Sequence, residues 1–344
     1  MTDPFADLEN EVALDRVGTR GALLDRALRG YVPLRKEFVQ LHDKADDGTR
    51  GSVLGQLLAD RQERALDALL LLHALWPAID GDAEPLPMSQ WALMLTTDHG
   101  GECTPNAASK AFTELEKRGL VRRESVGRGT RITPCREDGS GDDWENPGTN
   151  PSDRYFTVPH LYWIDPIVDG STPADALRLP GKAMLLIALK ETQDPGKPGR
   201  FSVAAARGEE WYGISERSVE RGYGELRKAK LLAERTQRVR NPKASNGIQT
   251  ICWRAPTQGF STDDRAKLQA EAVSKARAKI TARAKSGPVK PTPEPDAKPK
   301  PKPKPTRKGK PNLQRIRPVR RSRRTAPDPG TAAAANHREE EVNG

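Results

Sequence analysis

The sequence contains little cysteine and few aromatic residues. Cys103, Cys135 and Cys252 are the only cysteines among 344 residues, and aromatic residues make up 5% of the chain. An odd number of unevenly spaced cysteines does not indicate a disulfide framework and is typical of a reducing compartment. No Cys-x-x-Cys pair accompanies them or His99, so we predict no metal site.

Long apolar runs are missing too. The longest, residues 68–76 and 183–189, are well short of the ~20 residues that a membrane-spanning helix needs. No signal peptide precedes them. We therefore expect a cytoplasmic protein without a membrane partner.

Motifs of several enzyme classes are also missing. The sequence has no Gly-x-Ser-x-Gly elbow, no Gly-x-x-x-x-Gly-Lys-Ser/Thr phosphate loop and no His-Glu-x-x-His, and its five histidines are scattered. We predict no catalytic residues and no cofactor. A binding protein is the expectation.

Positive charge is plentiful but unevenly distributed. The net charge is +10, yet residues 275–324 hold 19 lysines and arginines against two acids. That segment carries +17, so the rest of the chain sums to −7. A slightly acidic folded part must contact nucleic acid through local basic patches.

Residues 57–133 have the pattern of three helices and a hairpin. Residues 57–75 predict a buried helix that Pro77 ends, and residues 85–97 a short second helix. Thr104 and Pro105 favour the start of a third, because threonine caps free amides and proline loses no hydrogen bond there. Residues 121–126 and 130–133 then predict a hairpin. Residues 104–136 carry a net charge of +5.

The same order of elements follows about a hundred residues later. Residues 155–158 predict an isolated strand, 179–189 a buried helix, and the residues after Phe201 a second helix that ends near Trp211. Ser215 predicts the N-cap of a third helix. Two strands, residues 231–240 and 248–254, complete the copy, and residues 215–254 carry +6. Gly222 and Gly224 lie in its last helix, where each either permits a close backbone approach or weakens the helix by roughly 1 kcal/mol relative to alanine.

These residues carry a family resemblance. The pattern Gly213-Ile-Ser-x-Arg-Ser-Val-x-Arg, followed by Leu226-x-x-Ala-x-Leu-Leu232, resembles the winged-helix superfamily. Its recognition helices begin with serine or threonine and end in a Leu-x-x-x-Gly-Leu type of entry to the wing. Residues 115–121 match that ending, whereas Lys230 replaces the glycine in the second copy and predicts a less sharply defined helix end.

Three further segments are similar to a group of actinobacterial tandem winged-helix proteins. They are residues 136–141, 155–163 and 179–184, and the resemblance covers about residues 55–255. It implies a mainly α-helical fold with small β wings, DNA binding, and no particular pathway.

The predicted organisation has six parts. They are a mixed-charge N-terminal segment, helical or flexible (1–52); a first winged-helix domain (53–136); a linker (137–154); a second winged-helix domain (155–258); a marginal basic helix (259–286); and a disordered Lys/Arg/Pro-rich tail (287–344).

Candidate DNA contacts follow from the helix-turn-helix arrangement, in which the second helix of the pair enters the major groove. The candidates for reading bases are Asn106, Ser109, Lys110, Thr113, Arg217, Ser218 and Arg221. The candidates for holding phosphates or entering the minor groove are Arg122, Arg123, Arg128, Arg131, Arg235, Arg238, Arg240 and Lys243.

The sequence therefore predicts a sequence-specific, double-stranded DNA-binding protein associated with the nucleoid. A transcriptional regulator is the first hypothesis. A plasmid or mobile-element replication initiator that binds repeated origin sites is the alternative, and a scaffold that does not bind DNA is the third. The sequence leaves open whether the chain forms a homodimer.

Overall fold

The computed structural model describes residues 13–27, 29–42, 48, 50–150, 152–194 and 199–285. This part of the chain is mainly α-helical with small antiparallel sheets, as predicted. None of its helices is both long enough and apolar enough to cross a membrane. The predicted disordered tail, residues 287–344, lies outside the described residues.

The elements follow one another in two series. The first comprises α1 (Arg16–Arg26), β1 (Tyr31–Arg35), α2 (Val53–Ala59), α3 (Glu63–Ile79), α4 (Met88–Met94), α5 (Pro105–Lys117), β2 (Val121–Val126) and β3 (Gly129–Pro134). The second comprises β4 (Tyr155–Pro159), α6 (Leu161–Ile164), α7 (Pro173–Ala176), α8 (Leu179–Glu191), α9 (Gly208–Tyr212), α10 (Glu216–Lys228), β5 (Leu232–Arg240), β6 (Ile248–Pro256) and α11 (Thr262–Lys285).

The prediction of a single helix over residues 57–75 is wrong. These residues belong to two helices, α2 and α3, because Arg61 between them takes a left-handed backbone conformation with φ of 55°. Pro77 does not end the second one but lies inside α3, which continues to Ile79. A proline there removes one backbone hydrogen bond, and the nearly complete burial of α3 sustains the helix through tertiary packing.

Helices α5 and α10 begin differently and end alike. The Thr104 hydroxyl accepts a hydrogen bond from the Ala107 amide, as a helix cap does, whereas the Ser215 hydroxyl bonds to that of Ser218 and makes no cap. Gly119 follows α5 with φ of 67°, and Lys230 follows α10 with φ of 57°. The end of α10 is therefore as sharply defined as that of α5, although the left-handed conformation is energetically unfavourable for a residue with a side chain.

The strand predicted to be isolated has a partner. β4 pairs antiparallel with β1, from Tyr31 opposite Pro159 to Arg35 opposite Tyr155. The strand pattern of residues 155–158 could not show this, because β1 lies more than a hundred residues upstream. The β1 strand of the N-terminal segment is thus paired with the second series of elements.

Two antiparallel ribbons follow α5 and α10. β2 pairs with β3 from Val121 opposite Pro134 to Val126 opposite Gly129. β5 pairs with β6 from Leu232 opposite Pro256 to Arg240 opposite Ile248. We call the first pair wing 1 and the second pair wing 2.

A continuous apolar core joins both series. Buried residues of α1, α3, α5, α8 and α10 belong to one cluster, and the described residues fall within one compact unit, Met1–Gly287. The predicted linker contributes to this interior, because Glu137 is fully buried and accepts a hydrogen bond from Arg35 at 2.7 Å.

Candidate nucleic-acid interface

One face of the helix α10 is buried against the rest of the fold, and the other is exposed to solvent. Val219, Gly222, Tyr223 and Leu226 are its buried residues. An alanine methyl group built at Gly222 would lie 2.3 Å from the Met184 side chain, so Gly222 permits the close approach of α10 to α8. At Gly224 such a methyl group would meet nothing within 4 Å. Of the two alternatives, close packing therefore holds for Gly222.

The outward face of α10 carries three cations. Arg217, Arg221 and Lys228 recur at helical spacing and are exposed. Among the residues that the structure describes, no side chain forms a hydrogen bond or ion pair with Arg217 or Arg221. Sequence reasoning missed Lys228, although its spacing of seven from Arg221 was a usable signal. Glu220 is also exposed beside this row and reduces its charge.

The outward face of α5 is more occupied. Asn106 and Lys110 are exposed. Ser109 and Thr113 instead accept hydrogen bonds from Arg123 of wing 1, at 3.1 and 2.6 Å. Two predicted base-reading residues and one predicted phosphate ligand thus bind one another.

The other cations of wing 1 are also largely engaged. Arg122 pairs with Asp143 and donates to the Gly141 carbonyl at 2.7 Å. Hydrogen bonding to Asp143 raises the pKa of Arg122 above its ordinary value. Arg131 donates to the carbonyls of Asp82 and Ala83, at 2.8 and 3.1 Å. Arg128, at the turn, is exposed.

An acidic loop explains why Arg122 of wing 1 is engaged. The backbone of Asp143 forms a β-bridge with Cys135, and the Arg136 amide donates to the Asp142 carbonyl at 2.9 Å. The loop therefore extends the edge of wing 1. Its four acids between residues 137 and 143 reduce the +5 of residues 104–136 to +1 over residues 104–143.

Wing 2 differs from wing 1 in the exposure of its candidate cations. Its four predicted contacts, Arg235, Arg238, Arg240 and Lys243, are all exposed. Within the described part of the chain, none of these side chains has a hydrogen bond or ion pair.

Strand alternation divides these cations between two faces. Arg238 and Arg240 share the face of Glu234 and Arg254, and Arg235 lies on the opposite face with its cross-strand partner Trp253. The Arg254 guanidinium stacks 3.9 Å from the centroid of Tyr223, a residue of α10. The face with Arg238 and Arg240 is therefore the one turned towards α10.

Arg254 and Glu234 fix this geometry. Glu234 accepts hydrogen bonds from Arg254 at 2.6 Å and from Arg227 of α10 at 3.1 Å. Burial raises the pKa of Tyr223 to about 12, so its hydroxyl stays protonated and donates to the Val203 carbonyl at 3.1 Å. Wing 2 is thereby held in a fixed orientation to α10.

The described residues contain no group of three or more histidine, cysteine, aspartate or glutamate side chains that could hold a metal ion. No protein-family model, curated protein or solved structure matches this chain. The exposed cations of α5, α10 and the two wings are therefore the features of this chain that bear on its function.

Proposed function

We propose that the chain is a sequence-specific double-stranded DNA-binding protein with two tandem winged-helix lobes, in which α10 is the main recognition helix. The supporting observation is the contrast between the wings. Three of the four candidate arginines of wing 1 have partners within the chain, whereas the four candidate cations of wing 2 are exposed and pair with no side chain in the described ranges. A free cation can neutralise a phosphate without breaking an existing bond.

Sequence reading is assigned to Arg217 and Arg221. They lie one turn apart on the exposed face of α10, and an arginine can bind the O6 and N7 atoms of guanine with two hydrogen bonds. Arg238, Arg240 and Lys243 then hold the phosphates, because the first two share the wing face turned towards α10.

The helix α5 has a secondary role in this proposal. Asn106, Lys110 and Arg128 are available for contacts, while Ser109, Thr113 and Arg123 bind one another. We expect α5 to add affinity and little discrimination.

The biological role that we propose is transcriptional regulation in association with the nucleoid. A replication initiator differs from a regulator in an observable way, because an initiator binds an array of repeats that a plasmid needs in order to persist. Selecting the fragments of genomic DNA that the protein binds separates the two roles. Fragments bound by a regulator should contain single sites near promoters, whereas fragments bound by an initiator should contain an array of repeats.

The DNA-reading role of α10 is tested with Arg217→Ala/Arg221→Ala on the duplex that the unaltered protein selects. Removing two guanine contacts should reduce the preference for this duplex over random DNA by about 30-fold or more, at roughly 1–3 kcal/mol for each contact. Competition binding at fixed salt measures the preference.

The matched control removes the same charge from exposed positions of α11, as Lys267→Ala/Lys275→Ala. It should leave the preference unchanged. Asn106→Ala/Lys110→Ala should lower the affinity for all duplexes by a smaller factor. An unchanged preference in the Arg217/Arg221 variant would refute the assignment of α10.

A further inference from the structure

The face of wing 2 that points away from α10 carries a cluster of basic and aromatic side chains. Arg235 and Trp253 are cross-strand partners there, next to the pair formed by Ala233 and Ala255. Arg200 joins them from the adjacent segment, where the Phe201 backbone pairs with Arg254, and its guanidinium lies 5.1 Å from the centroid of the Trp253 ring.

These residues line a groove of about 410 Å³. That volume suits a small planar ligand, since ligand sites typically measure about 300–1,000 Å³. The alanine pair leaves space beside the indole of Trp253, whose nitrogen donates to Gln237 at 2.8 Å. The ring is thus oriented by its own strand pair.

The charge of the groove is positive. Arg200 and Arg235 are exposed along it. Glu234 is the one acid among its lining residues, and it is bound by Arg227 and Arg254 on the opposite face of the ribbon. An anionic ligand therefore meets two exposed cations here, while the third lining arginine, Arg254, neutralises the Glu234 carboxylate.

We infer that this groove, formed by Arg200, Arg235 and Trp253, binds single-stranded DNA, with a base stacked on Trp253 and the flanking phosphates on the arginines. Aromatic rings beside cations bind single strands in this way, because every unpaired base exposes a flat face. A duplex exposes only base edges and so does not use a stacking surface. The inference stands apart from the proposed duplex binding by α10.

The test uses the full chain and a fluorescein-labelled oligothymidylate of about 15 nucleotides, a length that covers typical single-strand sites. Fluorescence anisotropy gives its affinity, and the selected duplex is measured in parallel. Trp253→Ala should weaken oligothymidylate binding by about tenfold, the usual scale for losing one stacked base. Duplex affinity should change by less than about twofold, because a duplex offers no unpaired base for Trp253 to stack on.

Two variants separate stacking from folding of the wing. Trp253→Phe keeps a stacking ring and should retain most oligothymidylate binding, and Thr250→Ala, on the other face, should be unchanged. Repeating the titration at raised salt suppresses binding that depends only on phosphate contacts, including any by the basic tail. The difference in oligothymidylate affinity between the unaltered chain and Trp253→Ala should persist, because it comes from base stacking.

The inference is overturned if Trp253→Ala leaves oligothymidylate binding intact, if it weakens duplex binding equally, or if Trp253→Phe is as weak as Trp253→Ala. Arg217→Ala/Arg221→Ala should show the reverse pattern, with loss of duplex preference alone. Failure of the single-strand site and failure of the proposed duplex function therefore give different results.

Discussion

Lys182 of α8 and Asp67 of α3 form a buried ion pair in which the ammonium lies 2.8 and 2.7 Å from the two carboxylate oxygens. The Lys182 side chain is fully buried. Burial raises the pKa of Asp67, and the charge of Lys182 opposes that rise. Lys182 also donates to Glu63 at 2.9 Å, so one ammonium joins the first series of elements to the second.

Replacing Lys182 with methionine should reduce the free energy of unfolding by about 3–5 kcal/mol, because it leaves Asp67 buried without its cation. The double variant Lys182→Met/Asp67→Leu should recover a substantial part of that loss, since neither charge is then buried. Urea unfolding followed by circular dichroism measures both. Equal destabilisation of the single and double variants would show that the pair is not coupled.

Gly222 and Gly224 offer a matched pair of substitutions two positions apart in α10. Gly224→Ala should stabilise the chain by up to about 1 kcal/mol, because alanine favours the helix and the position is open. Gly222→Ala should destabilise it by about 1–3 kcal/mol, since the new methyl group lies 2.3 Å from Met184 and 2.4 Å from the Pro180 carbonyl oxygen. Thermal unfolding compares them, and similar shifts in both would contradict the packing described for α8 and α10.

Acid should destabilise the chain through His160. Burial lowers the pKa of His160 from its ordinary 6.5 to about 4, so the unfolded chain takes up a proton more readily than the folded one. The stabilising contribution is complete above pH 6.5 and is lost as the pH falls from 6.5 to 4. Between pH 7 and pH 5 the loss should be about 2 kcal/mol.

The variant His160→Phe isolates this effect. It keeps an aromatic ring beside Trp163, with which His160 makes an edge-on contact, and removes the titrating group. Urea titration at pH 7 and at pH 5 gives the decrease in unfolding free energy between the two pH values. That decrease should be about 2 kcal/mol smaller for the variant than for the unaltered chain. Some pH dependence should remain, because burial also lowers the pKa of His73. If the variant and the unaltered chain lose the same unfolding free energy between pH 7 and pH 5, His160 is not the source of the acid sensitivity.

Local signals predicted much of the secondary structure. Thr104 and Pro105 mark the start of α5, Gly119 takes a left-handed conformation after its end, and the strands of both wings lie within two residues of their predicted ends. Each of these signals depends on side chains within a few positions of one another. The break at Arg61 was not predictable in this way, because a non-glycine residue in the left-handed region is uncommon.

The sequence by itself determined where the helices α5 and α10 and their wings form, and that cations are concentrated there, because capping, periodicity and charge are local properties. Only the tertiary structure decided which cations are available. Asp143 pairs with Arg122, Thr113 and Ser109 bind Arg123, and Arg217 remains exposed. Such pairings depend on the folded path of a loop and on the face of a strand, which a count of charges along the chain does not contain.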